Sequence, residues 1–163
     1  MRLSAQEEYG LRCLVQVAMR DRVGESAQIP SIAAAEGMSP EYVGKLMRVL
    51  RQGGLLVSTR GATGGYRLAR PGDEITLMQI IEVLDGPLFA DSFCNSHSGG
   101  SSQNLSCVHS PAACSIRFLW RWVGTALDKV LTQITLADLV AGPGSVSTAI
   151  HQVPSPLTRE IAP

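Results

Sequence analysis

Three cysteines in a serine-rich stretch of the second half of the chain could bind a soft metal through their thiolates. Cys94, Cys107 and Cys114 are separated by twelve and then by six residues, which is not the spacing of a zinc ribbon. Thiolates suit iron, and a nearby helix start stabilises their negative charge. The spacing alone leaves two interpretations open, a metal site or three unrelated cysteines; we call these residues the loop cysteines.

Composition limits the classes of protein that this chain can represent. Its 163 residues are 45% apolar and 17% charged, which predicts one folded domain, or two at most. Fourteen basic and fourteen acidic residues cancel, so a protein that coats nucleic acid through bulk charge is excluded. No apolar run approaches the ~20 residues of a spanning helix, and Glu7 and Glu8 are atypical of a signal peptide. We therefore expect a cytoplasmic protein, away from membranes, with reduced thiols.

Although the net charge of the chain is zero, its first half is basic. Residues 1–72 carry ten basic and six acidic side chains, and residues 39–70 carry six basic side chains against one acid. This window predicts a surface that meets phosphate. A solvated face of an ordinary protein could have the same charge.

The first half of the chain has signals for short helices followed by a hairpin. Ser4 and Thr76 each begin a capping box, and Ser39-Pro40 places serine at a helix cap with proline in the first turn. Gly53-Gly54 ends the third helix, and Gly64-Gly65 lies in the turn between the two strand-like stretches. The expected elements are helices at 4–20, 29–35 and 39–53, strands at 55–59 and 66–68, and a helix at 76–86.

Three helices and a hairpin in this order predict a winged helix-turn-helix, which places a recognition helix in the DNA major groove and the wing at the backbone or minor groove. Glu41 could accept a hydrogen bond from a cytosine amino group. Glycines in the wing permit close approach of backbone N–H groups to phosphate, although the hairpin could equally be an ordinary structural turn. The candidate DNA contacts are Ser39, Pro40, Glu41, Tyr42 and Lys45 in the helix, and Arg60, Gly61, Thr63 and Gly64 in the wing.

The second half predicts a long helix from Ser110 to about Ile134, roughly 36 Å in length. Its apolar stripe is wide, so we expect it to pack against a partner. Trp120 and Trp122 cannot share one face, and we expect one of them in a core. Residues 135–140 are predicted to form a short helix.

Several motifs together resemble the IscR/NsrR/RirA type of bacterial transcription regulator. The wing, Arg60-Gly61-x-x-Gly64-Gly65-Tyr66, is the most specific of them; Gly37-Met-Ser-Pro-Glu-Tyr-Val precedes it and Ile80-x-x-x-Leu84-Asp-Gly86 follows. The resemblance covers about residues 1–140. It implies a mainly α protein, a winged helix-turn-helix with a long C-terminal dimerisation helix, that binds palindromic, double-stranded promoter DNA as a homodimer.

The resemblance, together with the prolines and the lack of periodicity after residue 141, divides the chain into four parts. These are a winged helix-turn-helix DNA-binding domain at 1–86, a cysteine-bearing cluster loop at 87–110, a dimerisation helix at 111–141 and a flexible tail at 142–163.

The same resemblance implies an iron–sulfur cluster held by the loop cysteines, with [2Fe-2S] preferred to [4Fe-4S]. The first gap between the cysteines is longer than the gaps typical of such regulators. In relatives an acidic residue near the start of the first helix reaches the cluster across the dimer, and Glu8 stands at the matching position. His109 is a rival ligand and His97 a weaker one. Cys13 lies on the apolar stripe of the first helix, so we expect it in the core.

We therefore expect a dimeric DNA-binding regulator that senses redox state, nitric oxide or iron through a cluster. A second interpretation keeps the DNA binding but makes the protein a cysteine-thiol sensor without a cluster. A third, from another class, is a small iron–sulfur electron carrier. No enzyme is expected, and no small-molecule substrate, because the sequence contains no nucleophile with a neighbouring base, no phosphate loop and no zinc-hydrolase motif.

Overall fold

The computed structural model describes residues 4–61, 64–86 and 115–153. Their elements are, in chain order, α1 (Ala5–Asp21), α2 (Ile29–Glu36), α3 (Pro40–Gln52), β1 (Leu56–Thr59), β2 (Gly65–Leu68), a short 3-10 helix (Gly72–Glu74), α4 (Leu77–Asp85), α5 (Ser115–Leu131), α6 (Leu136–Ala141) and α7 (Pro143–His151). The mainly helical fold with one small hairpin confirms the predicted class. None of the described helices is long and apolar enough to cross a membrane.

Local capping signals explain where the N-terminal helices begin. Ser4 and Thr76 cap α1 and α4 through complete capping boxes, as predicted. Ser39 accepts a hydrogen bond from the Tyr42 N–H, and Pro40 occupies the first turn of α3. These start positions match the prediction from the sequence.

The core lies between α1, α2, α3, α4 and the base of the hairpin. The predicted stripe of α3 is buried, and Cys13 is also fully buried, which confirms its expected place in the core. The largest fully buried side chains are Leu14, Ile32, Leu46, Met47, Leu50, Leu55, Ile75, Ile80 and Leu136.

Two glycines let α4 sit close to both α1 and α3. A Cβ atom added at Gly10 of α1 would lie 2.7 Å from Cδ1 of Leu84, and one added at Gly53 after α3 would lie 2.6 Å from Cγ2 of Val83. Both distances are shorter than van der Waals contact. Helix α4 is therefore in direct contact with the candidate recognition helix and with the helix that precedes it.

The hairpin forms an antiparallel pair in which Leu56 lies opposite Leu68 and Thr59 opposite Gly65. The free edge of β2 pairs with Ala27, a residue of the α1–α2 connection: the Ala27 N–H donates to the Tyr66 carbonyl (2.9 Å) and the Tyr66 N–H to the Ala27 carbonyl (2.8 Å). This bridge connects the wing to the first half of the helix-turn-helix.

The end of the long helix returns to the N-terminal core. Helix α5 ends at Leu131, earlier than the predicted Ile134, and Ile134 is buried beyond the end of the helix. The Leu77 N–H donates to the Ile134 carbonyl, and the Leu136 N–H donates to the Ile75 carbonyl, both at 2.8 Å. Leu136 is fully buried. Residues 134–141, assigned to the dimerisation helix from the sequence, therefore pack with residues 4–86, which we call the head.

The prediction of a flexible tail from residue 142 is wrong for its first part. Helix α7 runs from Pro143 to His151 and packs on α6. The Ser145 hydroxyl donates to Oδ1 of Asp138 at 2.6 Å, which joins the two helices. Four prolines in the segment suggested irregular chain, but proline is tolerated in the first turn of a helix, where Pro143 lies.

The two tryptophans of α5 also depart from expectation. Trp120 and Trp122 are both exposed, so neither lies in the core. Ile116, Phe118 and Leu119 of the same helix are more than half exposed as well. An apolar surface of this kind on one helix is typical of an interaction site.

Candidate DNA interface and cofactor ligands

The predicted recognition helix presents its first turns to solvent. Ser39, Pro40, Glu41 and Lys45 are exposed, and neither Glu41 nor Lys45 makes an ion pair with a described residue. Opposite them, the apolar stripe holds α3 in the core. The helix therefore offers Glu41 and Lys45, which are unpaired among the described residues, at the end that would reach base edges.

Tyr42 has a different environment from its neighbours. It is half-buried, and its ring meets the ring of Tyr9 edge-to-face, with centroids 5.9 Å apart and planes at 83°. Aromatic pairs of this geometry are attractive beyond the area that they bury. Tyr42 thus braces α3 against α1, a role that the sequence interpretation did not assign to it.

The wing tip carries a cation that is free to bind another molecule. Arg60 and Gly61 are exposed, and Arg60 has neither a hydrogen bond nor an ion pair with any residue that the structure describes. Gly61 adopts a φ of +114°, which favours glycine, and its carbonyl accepts from the Gly64 N–H at 2.9 Å. Thr63 lies outside the described residues.

A groove separates the wing from the α1–α2 connection. It is lined by Gly24, Glu25, Ser26, Gln28, Thr59, Arg60, Gly64 and Arg67. Gln28 and Arg67 were absent from the sequence-based set of candidate residues. No local motif marks them, because Gln28 reaches Gly64 and Arg67 reaches Gly24 across the groove, 36 and 43 positions away in the chain.

The loop cysteines, His97 and His109 all lie outside the described residues, so their predicted roles stay predictions. Within the described part of the chain, no group of three or more His, Cys, Asp or Glu side chains could hold a metal. Cys13 is no ligand candidate, since burial raises the pKa of its thiol to about 12.

Glu8, the predicted fourth ligand, lies on an exposed face of α1. Its Oε1 accepts from Nη2 and Nε of Arg12, one turn along the helix, at 2.8 and 2.9 Å. Arg12 also lies 3.8 Å from Oε2 of Glu36 at the end of α2. Glu8 and Arg12 are each about half exposed, so the Glu8 carboxylate can leave this pair at little cost.

Comparisons with known proteins agree with this architecture. Residues 3–142 match the Rrf2 family model, described as an iron-dependent transcriptional regulator. An HTH-type transcriptional regulator of Mycobacterium tuberculosis is 32% identical over 145 residues, which cover 87% of this chain and 83% of the relative.

Two solved structures share the fold. CymR, the global cysteine regulator of B. subtilis, is 32% identical with a TM-score of 0.65, over 86% of this chain and 97% of that one. IscR of T. potens is 30% identical with a TM-score of 0.66, over 86% and 87%. The family model covers most of the chain, and the helix-turn-helix and wing lie within it. The chain belongs to the Rrf2 family of transcriptional regulators, as its motifs indicated, and it is a DNA-binding regulator rather than an enzyme.

Proposed function

We propose that this regulator binds double-stranded promoter DNA as a homodimer, and that an iron–sulfur cluster on the loop cysteines sets its affinity. The observation that carries the DNA half is the presence of free polar and basic side chains both on the first turns of α3 and at the wing tip. The cluster half rests on the three thiols of the sequence and on the iron-dependent family description.

The proposed DNA contacts divide by chemistry. Ser39, Glu41 and Lys45 read base edges, where a carboxylate accepts from cytosine and an ammonium donates to guanine. Arg60 and the backbone of Gly61 and Gly64 approach the phosphates or the minor groove. Pro40, Tyr42 and Thr63 complete the proposed interface, with Tyr42 acting mainly by holding α3.

The proposed dimer uses the exposed apolar face of α5. Ile116 is 67% exposed and Leu119 52% exposed in the single chain, and they lie three residues apart, on one face. A second copy of the same helix would remove this face from water. Association in this way would also give two recognition helices, as a palindromic site requires.

The proposed ligand set suits iron chemically. Three thiolates are soft ligands, and a carboxylate in the fourth position is weaker and easier to displace. When bound, the cluster supplies iron that reacts with oxygen or nitric oxide, and [2Fe-2S] is our preferred form. Glu8 is exposed, as a ligand from one subunit to the other subunit's loop must be; His109 is the alternative.

Glu8 is placed to influence the recognition helix. It precedes Tyr9 in α1, and the Tyr9 ring packs on Tyr42 in the first turn of α3. Release of Glu8 from Arg12 also frees Arg12 to pair more fully with Glu36 of α2. Ligation of Glu8 would therefore affect α3 through the tyrosine pair and α2 through Arg12.

Anaerobic purification with iron and sulfide analysis and a visible spectrum tests the cluster. A coloured protein that becomes colourless in the Cys107→Ala variant, and stays coloured in the Cys13→Ala control, supports the proposal. A colourless, iron-free protein that still binds DNA contradicts it and favours the thiol sensor, an outcome in keeping with the similarity to a global cysteine regulator. A failure to select any DNA duplex from a random-sequence library contradicts the DNA half.

A further inference from the structure

The side chain of Arg67 is 38% exposed but turns toward the end of α1, although it lies in the basic window near Arg60. Its Nη2 donates to the carbonyl of Gly24, and its Nε lies 3.4 Å from Oδ1 of Asp21. Nε is buried and makes no hydrogen bond with a described residue, so its contact with Asp21 is an ion pair. Asp21 is the last residue of α1, so this arginine joins the wing strand β2 to the end of that helix.

Backbone contacts at neighbouring positions reinforce this connection. Tyr66 forms the two-bond bridge with Ala27. A Cβ atom on Gly65 would lie 2.7 Å from the Ala27 carbonyl oxygen, so only glycine permits this approach without a shift of the backbone. Three consecutive residues of β2 therefore contact the connection between α1 and α2.

The charges distinguish the two arginines of the groove. The charge of Arg67 is matched by Asp21, and its Nη2 donates to a protein carbonyl. Arg60, which lines the same groove, has no described partner. Arg60 is thus available to phosphate, whereas Arg67 would have to leave a carboxylate and a carbonyl to reach DNA.

We infer that Arg67 and Asp21 form a clamp that positions the wing, so that Arg60 meets DNA at the correct place relative to α3. Arg67 is a positioning residue and not itself a phosphate contact. This inference rests on the proposed use of the wing in DNA binding. It extends the functional part of the wing from its glycine-rich tip to residues at its base.

The substitution Asp21→Asn distinguishes a phosphate contact by Arg67 from a positioning role, because the two predict opposite changes in DNA affinity. If Arg67 contacted phosphate, removal of the acid would free it and tighten binding. If the clamp positions the wing, binding weakens by about twofold to fivefold although a negative charge has been removed. An acid at a helix C-terminus opposes the helix dipole, so this substitution leaves α1 intact. Glu25→Gln is the matched control, because it removes an acid from the same groove without touching the clamp, and it should leave binding unchanged or slightly tighter.

Salt dependence gives a second distinction. The probe is a duplex that the unmodified protein selects from a random-sequence library. Arg60→Met should lower the slope of log affinity against log salt by about 0.9, the value for one lost phosphate contact. Arg67→Met should weaken binding about tenfold with the slope unchanged. An equal loss of slope in both variants, or unchanged or tighter binding by Asp21→Asn, overturns the inference.

Hydrogen exchange in the absence of DNA tests the clamp without relying on the proposed function. The amides of Ala27 and Tyr66 should exchange about tenfold faster in Asp21→Asn than in the unmodified protein, while those in the middle of α3 stay unchanged. Unchanged exchange at both amides contradicts the clamp. Faster exchange in a protein that selects no duplex leaves the clamp intact and refutes the DNA-binding proposal instead.

Discussion

Truncation of Leu136 tests whether the chain beyond the long helix belongs to the core of the head. Leu136 is fully buried, and its N–H donates to the carbonyl of Ile75. A Leu→Ala substitution at such a site removes the transfer free energy of the side chain and leaves a cavity. The expected loss is about 2–5 kcal/mol of the free energy of unfolding.

For a chain of this size each kcal/mol lowers the melting midpoint by about 2–4 °C, so a loss of about 3 kcal/mol corresponds to a shift of roughly 6–12 °C. Differential scanning calorimetry measures this shift. Ile150→Ala in α7 is the control, since Ile150 is 44% exposed and its truncation should cost less than about 1 kcal/mol.

A midpoint for Leu136→Ala no lower than that of the Ile150→Ala control would refute the reasoning. It would mean that α6 does not pack with the head in solution. The domain boundary after residue 86, expected from the sequence, would then hold. A large shift would instead extend the head across residues 134–141.

Three other outcomes follow from the described side chains. Glu8→Gln should move the melting midpoint of the metal-free protein by less than about 2 °C, because an exposed pair one turn apart contributes only about 0.3–0.5 kcal/mol; in the proposed holoprotein it should shorten the lifetime of the colour in air, and an unchanged lifetime would remove Glu8 as a ligand. Hydrogen bonds from Ser145 and Thr135 lower the pKa of Asp138, so its ionised form adds stability above its unfolded-state pKa of about 3.9, and this is lost as pH falls through the lower folded value. The Asp138→Asn variant should accordingly lose less stability than the unmodified protein as the pH falls below about 4, and identical acid unfolding curves would contradict this assignment. Cys13 is fully buried with a thiol pKa of about 12, so iodoacetamide should modify it at least about a hundredfold more slowly in folded protein than in urea, as followed by mass spectrometry; equal rates would show that α1 does not protect it.

Local signals predicted the head well because they act over three or four residues. A capping box at Ser4 or Thr76 satisfies orphan helix donors within a single turn, so the residues themselves determine the start of the helix. The stripe of α3 follows in the same way from its period. The glycine-rich turn indicated the hairpin, whose register is seen only in the structure.

Contacts between distant parts of the chain were not accessible to this reasoning. Arg67 and Asp21 are an ordinary arginine and an ordinary aspartate until the fold places them 3.4 Å apart. Leu136 resembles any apolar residue of a short helix, and only its burial against Ile75 shows that it belongs to the head. Tyr42 was correctly placed at the start of α3, but its packing on Tyr9 depends on the crossing of α1 and α3.

The same difference between local signals and long-range contacts applies to the candidate site. Exposure of Ser39, Glu41, Lys45 and Arg60 followed from the amphipathic pattern and the turn, and the structure places all four at the surface. Ligation by the loop cysteines depends on how a long segment folds, and no period or cap specifies that. The roles of these cysteines therefore remain predictions.

The segment that carries the loop cysteines leaves from one end of α4 and the chain returns at its other end. It departs after Gly86, and Ile134 comes back to bond with Leu77 in the first turn of the same helix. The nine residues of α4 span only about 13 Å, so the two ends of the intervening chain are held close together by one helix. Closure entropy grows with the logarithm of segment length, about 0.6 kcal/mol for each doubling. Insertion or removal of residues between Cys94 and Cys107 should accordingly cost the head little stability, so the spacing of these cysteines can change while the surface formed by α3 and the hairpin stays the same.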